Sequence, residues 1–155
     1  AKRPDPAMRG QMEAMAAKAG YDMRWQGEGE PPEGMLWNTF LAHKLLRWAL
    51  KAHGAAAQTR IKLALFDAHF QQRRAIADPA VLLDLAEAAG LDRAGAEAAL
   101  ADRALGDEVR EAEEQAREMD ISAVPTMLID GKYLIPGAQQ PDTYVQLLRK
   151  VAGVS

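Results

Sequence analysis

Few residues in this sequence are equipped for covalent or metal chemistry. There is no cysteine, so a disulfide, a thiolate metal site and a cysteine nucleophile are all excluded within these residues. The three histidines, His43, His53 and His69, include no pair four residues apart on one helix, and no thiolate joins them. No metal and no cofactor are expected. His43 follows Asn38 and Thr39 at the head of a predicted helix. Those two are first of all capping residues, because a short polar side chain there accepts from the free amides of the first turn. A surface or packing role is the favoured reading of His43. Trp25, Trp37 and Trp48 sit early in the chain, where large aromatics most often serve the core. Met8, Met12 and Met15 recur at helical spacing and are expected to pack.

The bulk composition narrows the partners. Acidic residues number 22 against 19 basic ones, for a net charge of -3. That balance leaves no basic surface of the kind that drives phosphate-backbone binding, so nucleic acid is not expected. No apolar run approaches the roughly 20 residues of a membrane-spanning helix, so no membrane partner is expected either. The opening residues, Ala1-Lys2-Arg3-Pro4-Asp5-Pro6, show no targeting signal. With 48% hydrophobic residues the chain has the material for a real core.

Helix signals dominate the first three quarters. Asp5 as cap and Pro6 at the first helical position open a helix that Gly20 stops, with Met8, Met12, Met15 and Ala19 along one face. Residues 21–25 are a short apolar segment, and residues 27–34, rich in Gly, Pro and Glu, read as a solvated loop. Asn38-Thr39 starts a helix to about Ala52, with Leu41, Leu45, Trp48 and Ala52 on one face. Beyond Gly54, residues 56–73 read as one helix whose rows Ile61, Leu65, Ala68 and Leu63, Phe66, Phe70 give a wide apolar surface, which is expected to be the most buried. Asp78-Pro79 starts residues 80–89, Asp92 opens a short helix to about Asp102, and a charged helix with a solvated face covers about residues 106–119.

The pattern then changes. Thr126-Met127-Leu128-Ile129 is a short apolar run, Asp130-Gly131 marks a hairpin turn, and Tyr133-Leu134-Ile135 returns before Pro136-Gly137 breaks the strand. Pro141 starts a last helix with Tyr144, Leu147, Leu148 and Val151 on its inner side. A lone hairpin is marginal in water, since a sheet normally needs a third strand or a packed helix. Residues 21–25 are the only other strand candidate, but some ninety helical residues separate them from the hairpin. The simplest expectation is a partner strand outside these residues.

Ser122-Ala123-Val124-Pro125-Thr126, the strand and Asp130-Gly131-Lys132-Tyr133 turn behind it, Gly137-Ala138-Gln139 before the last helix, and Asn38-Thr39 with Ala42-His43 resemble the DsbA family. The resemblance is to its FrnE-like branch and runs from about residue 38 to the C-terminus. It implies an α/β thioredoxin-like fold with a large inserted helical domain. Residues 1–119 would be that insertion, and residues 120–155 the C-terminal half of the thioredoxin fold, so that this chain is mostly α with a C-terminal β-hairpin and helix. It implies thiol-disulfide oxidoreductase activity through a CxxC pair that precedes the insertion, where helix-terminal amides lower the attacking thiol's pKa. These cysteine-free residues alone are then expected to be inactive.

By the same resemblance Pro125 is cis, with the Val124 backbone free to pair with an extended substrate and Thr126 beside it, while Asn38, Thr39 and His43 can line a groove. From sterics alone Pro125 is a trans residue opening a strand, since only about 5–6% of such bonds are cis. The expected partner is a polypeptide thiol or disulfide, or a small thiol such as glutathione. The hairpin edge, if bare, invites a homodimer, and family habit suggests the cytoplasm. Two other readings remain. One is a glutathione-dependent 2-hydroxychromene-2-carboxylate isomerase or kappa-class transferase, with serine in place of the attacking cysteine. The other is a non-catalytic helical binding module, which leaves the hairpin unexplained.

Overall fold

The computed structural model describes residues 6–30 and 36–154. The expected cap at Asp5, part of the loop at residues 27–34, and the Met8 side chain lie outside the described residues. Contacts divide the chain into two units, Ala1–Arg110 and Glu111–Ser155.

The first unit is helical: α1 (Pro6–Lys18), α2 (Phe40–His53), α3 (Ala55–Phe66), a five-residue π turn (Asp67–Gln71), α4 (Pro79–Ala88), α5 (Arg93–Ala101) and the first half of α6 (Arg103–Glu118). Short polar side chains start these helices. Asn38 Oδ1 accepts from the Phe40 amide at 2.9 Å, and Asp78 Oδ1 accepts from the Ala80 amide at 2.9 Å. Asp92 Oδ2 takes the Gly95 amide, and Asp102 Oδ1 takes that of Ala104 at 2.8 Å, so α6 begins at Arg103, earlier than the sequence pattern suggests. Each cap satisfies an amide that a helix cannot pair internally.

Leu45, Ile61 and Leu82 are fully buried, and alanines at 42, 49, 57, 68, 86 and 96 surround them. Small side chains let the backbones of α2, α3, α4 and α5 approach closely, while each large residue gains roughly 1.5–3 kcal/mol from leaving water.

Several expectations need correction. On α2 the buried stripe is Ala42, Leu45 and Ala49, with Leu41 and Trp48 half-buried and Ala52 exposed. The helix expected at residues 56–73 ends at Phe66 and passes into the π turn. Only its Ile61, Leu65, Ala68 row is buried. Of the second row, Leu63 and Phe66 are exposed and Phe70 is half-buried, because α2 and α4 pack on the other side of the helix. Met12 and Met15 on α1, and Ala19 just beyond it, are exposed, so they do not pack as expected. Residues 21–25 are irregular, not a strand. This segment and Gln26 are tied to the π turn instead: Gln26 N–H donates to the Gln71 carbonyl at 2.9 Å, Gln71 Nε2 to the Asp22 carbonyl at 2.7 Å, and Tyr21 Oη to Asp67 at 2.8 Å.

In the second unit β1 (Thr126–Ile129) and β2 (Tyr133–Pro136) pair antiparallel, and α7 (Pro141–Ala152) follows. Asp130 and Gly131 both adopt positive φ, 51° and 63°, and the Lys132 amide closes the turn on the Ile129 carbonyl at 3.0 Å. β2 continues through Pro136, one residue past its expected end. Leu147 and Val151 of α7 join Ile129, Tyr133, Leu134, Ile135 and Lys150 around a cavity of about 320 Å³. Leu148, expected on the inner side, is exposed because it turns away from that lining, while Tyr144 is half-buried.

Candidate functional site

The residues before β1 are shaped by two turns of chain. α6 ends where Asp120 takes a positive φ of 59°, with the Asp120 and Ile121 amides bonded back to the Arg117 and Ala116 carbonyls. The chain then runs exposed through Ser122, Ala123, Val124 and Pro125. The Val124–Pro125 peptide bond is cis. Thr126 Oγ1 donates to the Ala123 carbonyl at 2.7 Å, which folds this loop against the start of the strand.

The hairpin register defines what the loop and strand offer outward. Gly137 N–H donates to the Pro125 carbonyl at 2.8 Å, extending the pairing of Thr126 with Pro136 by one step. Antiparallel ladders alternate, so residues 125, 127 and 129 bond toward β2, and Thr126 and Leu128 turn their amides and carbonyls to the opposite edge. Val124 continues that edge. It is 91% exposed, and its backbone groups have no partner among the described residues. Val124, Thr126 and Leu128 therefore leave a row of backbone groups unpaired among the described residues along that edge.

A second set of residues holds this edge in place. Gly137 has a φ of 73°, a conformation glycine adopts without steric cost. Gln139 Nε2 donates to the Pro136 carbonyl at 2.9 Å, and the Gln139 amide donates to Tyr144 Oη at 3.2 Å. The Gly137-Ala138-Gln139 segment thus fastens the proline loop to α7. Sequence reading found it only as a point of resemblance; a break of this kind just before a helix cap is the available signal for its role.

Asn38, Thr39 and His43 lie in the helical unit. Asn38 caps α2, Thr39 is exposed and makes no side-chain cap, and His43 is an exposed residue of the first turn whose amide bonds to the Thr39 carbonyl at 2.9 Å. His53 stacks edge-on to Trp48, and His69 sits in the π turn against Phe70. Among the described residues no three His, Asp or Glu side chains come together as a metal site. Burial and the nearby Arg9 cation hold His69 below the usual histidine range. The Lys51 ammonium, and then the Arg47 guanidinium, hydrogen-bond the Glu108 carboxyl and keep it below the ordinary carboxylate range.

A proline-led hairpin followed by a helix, with a helical unit before it in the chain, defines a thioredoxin-like protein of the DsbA type. Comparison with known proteins agrees: residues 5–149 match the DSBA-like thioredoxin domain, and the chain belongs to that family. It is 35% identical over 135 residues to the uncharacterised protein YwbO of Bacillus subtilis (strain 168), covering 86% of this chain and 62% of that protein. A probable DsbA oxidoreductase from Streptomyces coelicolor superposes with a TM-score of 0.80 at 29% identity, over 95% of this chain and 60% of that one. A proposed protein disulfide isomerase from Nitrosomonas europaea shares the fold, with a TM-score of 0.73 at 18% identity over 99% of this chain and 76% of that one. The chain spans about three fifths of the length of the first two relatives. Among the described residues no helix is long and apolar enough to cross a membrane.

Proposed function

We propose that these residues are the peptide-docking and helical part of a thiol-disulfide oxidoreductase. The outward edge Val124, Thr126, Leu128 carries the reading. An extended polypeptide pairs with the Val124 backbone, which aligns its sulfur with a reactive cysteine pair supplied from outside these residues. A thiolate of that pair attacks the substrate disulfide, forms a mixed disulfide and expels the other substrate sulfur as a thiolate. The second cysteine then attacks the mixed bond, leaving the substrate as a dithiol and the pair oxidised. Family membership supports the chemistry, and since the 155 residues hold no cysteine, this reading takes the nucleophile from outside them.

The Gly137-Ala138-Gln139 sequence before the last helix is the point of resemblance that supports the FrnE-like branch. Asn38, Thr39 and His43 are proposed to contribute a groove wall on the helical unit. A glutathione-sized thiol is the alternative substrate, and a second copy of the chain pairing along the β1 edge is the proposed route to a dimer.

Two experiments test this. In an insulin-reduction assay the 155-residue chain is expected to give no thiol-dependent turnover, and measurable turnover would contradict the need for an external cysteine pair. Reading the coding sequence just before Ala1 separates the classes. A strand followed by CxxC supports disulfide exchange, serine in place of the attacking cysteine supports the glutathione-dependent isomerase, and a start codon supports a binding module.

A further inference from the structure

The helix α3 is apolar on two faces, and the helical unit uses one of them. Ala57, Ile61, Leu65 and, in the π turn, Ala68 are buried in the core shared with α2 and α4. On the other side Leu63 and Phe66 are 52% and 44% exposed, Phe70 is half-buried, and Thr59 ahead of them is exposed. The Phe66 and Phe70 rings stand beside each other, with centroids 6.2 Å apart, so the π turn keeps the row continuous. A helix that is apolar all round is ordinarily covered all round.

Spacing and charge indicate what covers it. Thr59, Leu63, Phe66 and Phe70 recur at intervals of four, three and four, the alternation of a seam between two paired helices. Lys62 stands just before one seam position and Asp67 just after the next, the two flanking places at which paired helices exchange salt bridges. Lys62 is exposed and has no partner among the described residues. Asp67 gives Oδ1 to Tyr21, and its Oδ2 has no partner among the described residues. When two such helices lie parallel about a two-fold axis, the leading flank of each meets the trailing flank of the other, five residues on. Lys62 then meets Asp67 of the other copy, and the pair forms twice. An antiparallel arrangement leaves Lys62 without a carboxylate and offers Asp67 only Arg60, which already donates to the Ala89 carbonyl at 3.2 Å.

We propose that the outer face of α3 is a self-association surface, on which a second copy of the chain packs its α3 in parallel, with Leu63 and Phe66 in the seam and Lys62 paired to Asp67 across it. Each copy gives the same patch, so the contact closes on a dimer and does not propagate. It uses no residue of the β1 edge and none assigned to disulfide exchange.

Because the chain contains no cysteine, a single introduced thiol reports the pairing without background. Thr59→Cys is expected to give a covalent dimer under mild oxidation, since parallel copies bring the two residues 59 within disulfide reach and antiparallel ones hold them apart. Adding Leu63→Glu to that variant should abolish the cross-link. In sedimentation equilibrium the parent chain is expected to show a reversible monomer–dimer equilibrium, and Leu63→Glu a monomer that folds because the position is exposed. Lys62→Glu should raise the dimer Kd about tenfold, through two lost exposed ion pairs and the repulsion that replaces them. A parent that stays monomeric, a dimer that Leu63→Glu or Lys62→Glu leaves unchanged, or a Thr59→Cys chain that does not cross-link would overturn the proposal.

Discussion

The helical unit and the hairpin unit are built to different degrees of completion. The first closes around Leu45, Ile61 and Leu82, each at 0% exposure, with a shell of alanines and leucines about them. In the second, Ile135 at 7% is the one buried residue among those described, and β1 and β2 form a sheet of two strands. The lesson concerns where specificity resides. A helix bundle buries its side chains with its own neighbours, whereas a β-ribbon needs further strands before either of its edges or faces is satisfied. An edge left open can serve as a template for another chain, and the proposed docking of an extended polypeptide rests on that property of the hairpin unit.

The sharpest way to break this comparison is to cut one leucine in each unit. Leu45→Ala is expected to cost about 2–5 kcal/mol, because it opens a cavity in a closed core. Leu148→Ala, at 45% exposure, is expected to stay within about 0.5 kcal/mol. Urea unfolding followed by circular dichroism measures both, and equal costs would dissolve the distinction.

A second test lies in the turn. Gly131→Val forces a branched L-residue into a φ of 63° and is expected to destabilise the hairpin by roughly 1–2 kcal/mol. Exchange of the β1 and β2 amides should quicken while that of the α2 amides is unchanged. A smaller effect, about 1 kcal/mol, is expected for Asp78→Ala, which removes the α4 cap and should lower only the helical unit's midpoint.

The smallest effect concerns charge. Lys51 and Arg47 depress the folded-state pKa of Glu108, so the triad's contribution is fully present above the unfolded carboxylate value of about 4.3 and is lost as pH falls below that value and through the lowered folded-state one. Both cations and the carboxylate meet solvent, so the gain is modest. Glu108→Gln should flatten the decline of the helical unit's melting temperature from neutral pH to below about pH 4. An unchanged slope would show that the triad contributes nothing.

Much of this was legible in the sequence, for identifiable reasons. Asp78-Pro79, Asp92 and Asn38 marked helix starts because capping depends on the cap residue and the next few amides. Asp130-Gly131 marked the turn because few residue pairs tolerate two successive positive φ values. The misreadings came from packing. Leu63 and Phe66 belong to a regular row, yet nothing in a row of apolar residues states whether a neighbouring helix exists to cover it. The π turn was equally hidden, since one extra residue in a helical turn leaves no compositional mark. The apolar stretch at residues 21–25 resembled a strand because its hydrogen-bond partner, Gln71, lies far along the chain.

Of the site, the proline loop, the strand and the turn could be read directly, but the fastening by Gly137, Gln139 and Tyr144 depends on distances that sequence does not carry.

The outward edge of β1 is tested most directly by residue-resolved amide exchange on the 155-residue chain at a concentration where it is monomeric. Met127 and Ile129, bonded toward β2, should exchange slowly, while Val124, Thr126 and Leu128 exchange at rates near those of an unstructured peptide. Equal protection on the two sides of the strand would contradict the account.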